Sequence, residues 1–169
     1  MRHRRTVEEL EFVPPQVAAV LARMDLLAAA RDGWLNLLPG VPEDAVEEPP
    51  RTVFTALFGA VTPPVTMCTY VPGRRGSAAT VGISHAHGRF AARQLAELGV
   101  PIPPGWTVRQ DHARRGLVVR LPPTAEHATV LDWMLRAGRA LAMVPLTGSW
   151  LARVHLPLPG QGEARSTTS

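Results

Sequence analysis

Two short runs in this chain of 169 residues bring ionisable side chains close enough in sequence to suggest chemistry. The first, Ser84-His85-Ala86-His87-Gly88-Arg89, lies where a strand pattern gives way to a helical one. In extended backbone, residues two apart share a face, so His85 and His87 could offer two imidazoles to one metal ion. Zinc needs a third ligand, for which His112, Asp111 and His155 are the candidates, and no HxHxDH or HExxH signature accompanies the pair. No metal is assigned. The same corner has a second reading as an anion site: the helix start near Gly88 leaves N–H groups unpaired, and Arg89, Arg93 and the imidazoles add charge. The chain contains no GxxxxGK[ST] and no GxGxxG, so neither a nucleotide nor any other cofactor is implied.

The second run, Arg109-Gln110-Asp111-His112-Ala113-Arg114-Arg115-Gly116, sets an acid beside an imidazole. Adjacent strand residues point to opposite faces, so Asp111 and His112 cannot easily work as a pair, and a solvated hairpin end is expected. His85, His87, Arg89, Asp111 and His112 together form the candidate ligand-binding set, and no residue is given a catalytic role. A nucleophile is not supported, because Cys68 sits inside an apolar strand and neither Ser84 nor Ser149 occupies a GxSxG elbow.

The elements that must position these residues follow from periodicity. Val17, Val20, Leu21, Met24 and Leu27 recur at helical spacing after Pro14-Pro15, with Gly33 placed to end the helix near Arg31 or Asp32. Trp34 to Leu38 is a short apolar segment expected to pack on the body. Gly40 to Pro50 is an acidic, proline-rich connector, and Thr52 to Val61 a short helix. From there the order is ββα twice: strands at 65–71 and 79–84 with a helix at 88–98, then strands at 106–112 and 117–121 with a long helix that Thr124 would cap. The buried stripe of that helix is Val130, Leu131, Met134, Gly138 and Leu141, the glycine implying close packing on the sheet. A last strand, 149–156, turns Trp150, Ala152, Val154 and Leu156 inward.

Both hairpins carry an Arg-Arg-Gly turn, Arg74-Arg75-Gly76 and Arg114-Arg115-Gly116, forty residues apart. The glycine supplies the positive φ of a bulged turn, and the arginines stay hydrated at the tips. The fold class is thus α+β: a single antiparallel sheet of about five strands, built from two ββα units plus a final strand, with the helices on one face and a further helix at the N-terminus. Residues 1–13 form a flexible leader, 14–156 one domain and 157–169 a disordered tail.

Composition bounds the function classes. All eighteen basic residues other than histidine are arginine, and one cysteine rules out an internal disulfide and suits a cytoplasmic setting. Val17 to Ala30 is too short to cross a bilayer, and Glu8, Glu9 and Glu11 interrupt any signal peptide, so a soluble protein is expected. Residues 1–50 carry five Arg against nine acids and residues 51–169 thirteen Arg against five. An acidic leader beside a basic body implies docking between them or attraction of anions, nucleic acid included. Against nucleic acid, Trp133 and Trp150 fall on inward phases rather than forming a stacking platform.

The order of elements over residues 15–156 resembles the small α+β chaperones of type III secretion and the related YbjN-like domains. That resemblance implies a protein that binds protein segments and often dimerises; the final strand departs from the pattern. The expected function is a non-catalytic intracellular module that binds a protein partner or a second copy of itself. A small enzyme or an anion or metal-ligand binder at the His85 corner is the alternative, and nonspecific nucleic-acid binding through the basic body is the second.

Overall fold

A computed structural model describes residues 5–45 and 65–156. The expected helix over 52–61, most of the connector and the tail lie outside the described residues. Eleven elements follow one another: β1 (Thr6–Phe12), α1 (Ala18–Ala30), β2 (Trp34–Pro39), a 3-10 turn (Glu43–Ala45), β3 (Met67–Val71), β4 (Thr80–Ser84), α2 (Ala91–Glu97), β5 (Thr107–His112), β6 (Gly116–Arg120), α3 (His127–Ala140) and β7 (Trp150–Leu156). All strands join one sheet of order β1-β7-β2-β3-β4-β6-β5, and every pairing is antiparallel.

The sheet therefore has seven strands where the sequence suggested about five: the hairpins β3–β4 and β5–β6 are neighbours through β4 and β6, and β2, β7 and β1 extend the sheet beyond β3. The first added strand comes from the supposed flexible leader. In β1, Glu8, Leu10 and Phe12 alternate onto the core side, Leu10 and Phe12 packing against the core opposite Ala152 and Trp150. Two of its three glutamates are paired: Glu8 accepts two hydrogen bonds from Arg23 of α1, each 2.7 Å, and Glu9 accepts one from Arg153 of β7 at 2.6 Å. Charge of this kind is what an edge strand tolerates, since it discourages pairing with another chain. The second added strand, β2, buries Leu35 and Leu37 between β7 and β3.

The core lies between the sheet and the three helices, which share one face. Val20, Met24 and Leu27 of α1, Ala91 and Leu95 of α2, and the expected stripe of α3 are buried with Leu35, Leu37, Cys68, Tyr70, Val81, Ile83, Leu117, Val119, Trp150, Ala152 and Val154. Gly138 lies against the sheet as its place in the stripe implied: a Cβ there would sit 3.0 Å from both Cys68 Sγ and Trp150 Cη2. Two local expectations change. Gly33 has the expected positive φ (81°), but Arg31, also left-handed at φ 51°, is the residue that caps the end of α1. Thr124 does not cap α3, because Pro122 to Ala125 closes a turn (Ala125 N–H to Pro122 O, 3.1 Å) and the helix begins at His127.

The hairpin tips have the expected turn chemistry, with Gly76 at φ 80° and Gly116 at φ 78°. At Gly116 a side chain would also strike the Ile83 carbonyl oxygen, 2.3 Å from a built Cβ. Since β4 and β6 are antiparallel neighbours, the β3–β4 and β5–β6 turns emerge at opposite ends of the sheet. Arg74-Arg75 and Arg114-Arg115 are consequently separated by a five-residue strand, about 17 Å, and do not form one basic strip.

Candidate functional site

The corner around α2 turns out to be built for the helix. Asp111 reaches from β5 to the start of α2, where its two carboxylate oxygens accept the Ala91 and Ala92 N–H groups, each at 3.0 Å. It does for α2 what a capping side chain does from within a helix, satisfying two otherwise unpaired donors. His112 serves the turn that follows: its Nδ1 accepts the Arg114 and Arg115 N–H groups at 3.1 and 3.3 Å. Asp111 and His112 thus make separate contacts, as their adjacency implied. Gln94 of α2 ties down the loop by donating to the carbonyls of His87 (3.1 Å) and Arg89 (3.4 Å), and Arg89 is exposed.

His85 is 1% exposed, and its Nδ1 accepts the His87 N–H at 3.2 Å. Burial lowers its pKa below the ordinary imidazole value of 6.5; the Asp111 carboxylate opposes that shift and His87 adds to it. The Nε2 atoms of His85 and His87 are both buried with no hydrogen-bond partner among the described residues. The structure therefore gathers His85, His87 and Asp111 in one corner and leaves His112 and Arg89 apart. His155 is on the other face of the sheet, stacked on Trp34 at 4.3 Å between ring centroids, where burial and then Arg5 and Arg153 lower its pKa. Among the described residues no group of three or more His, Cys, Asp or Glu is placed to hold a metal ion.

A better-formed constellation lies at the opposite end of β4, from residues that the sequence did not single out. Tyr70 points inward from β3, and its hydroxyl is 3.0 Å from Nε2 of His127, in the first turn of α3. Nδ1 of the same imidazole is 2.5 Å from Oδ1 of Asp25 on α1, 102 residues away in sequence. Asp25, His127 and Tyr70 form one chain of hydrogen bonds across three elements. Tyr70 and His127 line a cleft of about 470 Å³, a size typical of small-ligand sites. Its apolar wall is Ala28, Ala79, Leu121, Pro122, Pro123 and Ala125, and its rim carries Arg31, Arg74 and Arg75. Arg74 shares Asp32 with Arg5, each donating at 3.0 Å. Asp32 is the one carboxylate paired with a rim arginine among the described residues, and those arginines hold its pKa below the usual carboxylate value. On the other side of the 76–78 loop a smaller hollow of about 290 Å³ is lined by Ser77, Thr80, Arg109 and Arg120.

The chain of Asp, His and a hydroxyl has the connectivity of a general-base relay, but its phenol is ill suited to attack. Burial, with help from Asp25, pushes the Tyr70 pKa up to about 12, and the side chain is 2% exposed. A hydroxyl so far from ionisation binds and orients rather than acting as a nucleophile at neutral pH. Burial likewise pushes the Cys68 thiol up to about 12. What the cleft offers is cationic hydrogen-bond donors above an apolar wall.

No protein family, curated protein or solved structure matches the chain. One signal for this cleft was present in the sequence: Tyr70 is the only tyrosine, and it shares the inward phase of β3 with Cys68. A buried phenol needs a hydrogen-bond partner. Which histidine supplies it depends on how α3 lies on the sheet.

Proposed function

We propose that this protein is a non-catalytic binding module whose cleft takes an anionic group, a carboxylate, sulfate or phosphate, carried on an apolar body. The observation that supports the reading is the single cleft in which Arg31, Arg74 and Arg75 stand above an apolar wall with the Tyr70–His127–Asp25 chain beside it. Guanidinium groups are planar, permanently charged donors matched to oxyanions. Alanine, leucine and proline side chains give the remainder of a ligand a surface to cover. The high pKa of Tyr70 favours binding over turnover. The test is calorimetric titration with benzoate and with sulfate against the intact chain and an Arg31→Gln/Arg75→Gln variant. Saturable binding that weakens about a hundredfold in the double variant is expected, each of the two lost charge-assisted bonds being worth about 1.4 kcal/mol. Equal affinity in the two proteins would end the reading.

A second reading, docking of a protein partner or of a second copy, draws on the other face of the sheet. Among the described residues no helix packs there, and Trp34, Leu38, Met67, Val118 and Leu151 project from it, partly exposed. Sedimentation velocity over a wide concentration range tests self-association, and a mass that stays monomeric throughout counts against it. No helix among the described residues is long and apolar enough to cross a membrane, and the fully buried, unreactive Cys68 suits a cytoplasmic setting.

A further inference from the structure

We propose that His127 couples anion capture in the cleft to the uptake of one proton, an inference that rests on the anion-binding reading above. Each hydrogen bond in the Asp25–His127–Tyr70 chain can run in one direction only for a given charge on the imidazole. The Asp25 carboxylate accepts and cannot donate, so the proton of a neutral His127 resides on Nδ1 and Nε2 is bare. Nε2 then accepts the only proton of Tyr70, 3.0 Å away, so that this side chain, one of those lining the cleft, has only lone pairs left to offer a ligand. Lone pairs repel an anion.

When the imidazole takes a proton from solvent, both ring nitrogens donate. Nδ1–H keeps its bond to Asp25, Nε2–H now donates to the Tyr70 oxygen, and the Tyr70 proton is released to donate into the cleft. No covalent bond other than the new N–H forms, and the net change is one proton gained. The cleft acquires a positive charge and a new donor at the same moment. A ligand that prefers one of two states shifts the balance toward it, and the effect is reciprocal: protonation strengthens anion binding, and anion binding draws in the proton.

The groups facing His127 are consistent with such a device. Asp25 comes from α1 and Tyr70 from β3; Arg31 from the end of α1 and Arg74 and Arg75 from the β3–β4 loop share the cleft. Glu126 immediately precedes it on its own element. A bound anion offsets the positive charge that the rim arginines and a protonated imidazole bring together in the cleft. The ligands selected are anions that keep their charge below neutrality, such as a sulfate, a carboxylate or the monoanion of a phosphate ester.

Sulfate is the probe, because it does not itself titrate in this range. Its dissociation constant is measured by calorimetry from about pH 8 to about pH 5.5, the span over which histidine changes charge, in two buffers of different ionisation enthalpy. The expected result is an affinity that rises as pH falls, by no more than about tenfold per pH unit for one linked proton, with proton uptake read from the buffer difference. His127→Gln should bind sulfate with an affinity independent of pH. Tyr70→Phe should keep part of the step, through charge alone. Asp25→Asn, at a side chain 71% exposed, disturbs the fold little and should shrink the uptake. His85→Asn should leave the step unchanged. Sulfate binding that is insensitive to pH, or a step that survives in His127→Gln, overturns the coupling while leaving the anion site in place. Absence of sulfate binding at every pH overturns the anion site and the coupling with it.

Discussion

Replacing Asp111 with alanine should destabilise the protein by about 2 kcal/mol through α2, with no metal or substrate involved. The side chain accepts two helix N–H groups at 3.0 Å each, one with each oxygen. Loss of an N-terminal cap costs about 0.5–2 kcal/mol, and bonds to a charged acceptor lie at the upper end of that scale. The helix has seven residues, so those two amides are a large share of its unpaired donors. Asparagine retains one acceptor oxygen and should cost about half as much. With a urea dependence of about 2 kcal/mol per molar, Asp111→Ala should unfold about 1 M earlier, with an unchanged slope. Amide exchange at Ala91 and Ala92 should accelerate ahead of the sheet. His112→Ala is the control: its two bonds lie in an exposed turn, and a loss of about 0.5–1 kcal/mol is expected. If Asp111→Ala unfolds within about 0.3 M of the parent, the carboxylate is not holding the helix, and its proximity to His85 needs another explanation.

Three further outcomes are expected. The folded pKa of His85 is depressed by burial, so below the unfolded value of 6.5 the unfolded chain binds the proton more readily; stability should fall as pH drops from neutrality toward the folded pKa, and His85→Asn should flatten that part of a urea midpoint against pH curve. Gly138→Ala sets about 1 kcal/mol of helix propensity against a methyl group 3.0 Å from Cys68 Sγ and Trp150 Cη2; overpacking costs about 1–3 kcal/mol, so a net loss of about 1 kcal/mol is expected in chemical denaturation. Cys68, fully buried with its pKa near 12, should resist maleimide under native conditions and react at the rate of global unfolding.

Much of the architecture was legible because it rests on local periodicity. The stripe Val130, Leu131, Met134, Gly138 and Leu141 and the alternation of Trp150, Ala152 and Val154 are properties of consecutive residues, and both are buried as their spacing requires. The two turn glycines adopt positive φ for the same local reason. The edge strand β1 was hidden by its glutamates, since charge outweighs alternation until the partners Arg23 and Arg153 are known. Likewise β2 reads as an apolar run whose type only its neighbours β7 and β3 decide.

The sequence by itself determined that Asp111 and His112 would face apart, that a glycine would lie against the sheet in α3, and that the helices would cover one apolar face. Only the tertiary structure decided that Asp111 serves α2, that the two arginine pairs emerge at opposite ends, and that Asp25, Tyr70 and His127 meet. Periodicity along a strand or helix sets which way a side chain points, whereas a meeting between residues 57 and 102 positions apart depends on strand order and helix placement. Those are set by the packing of the whole core.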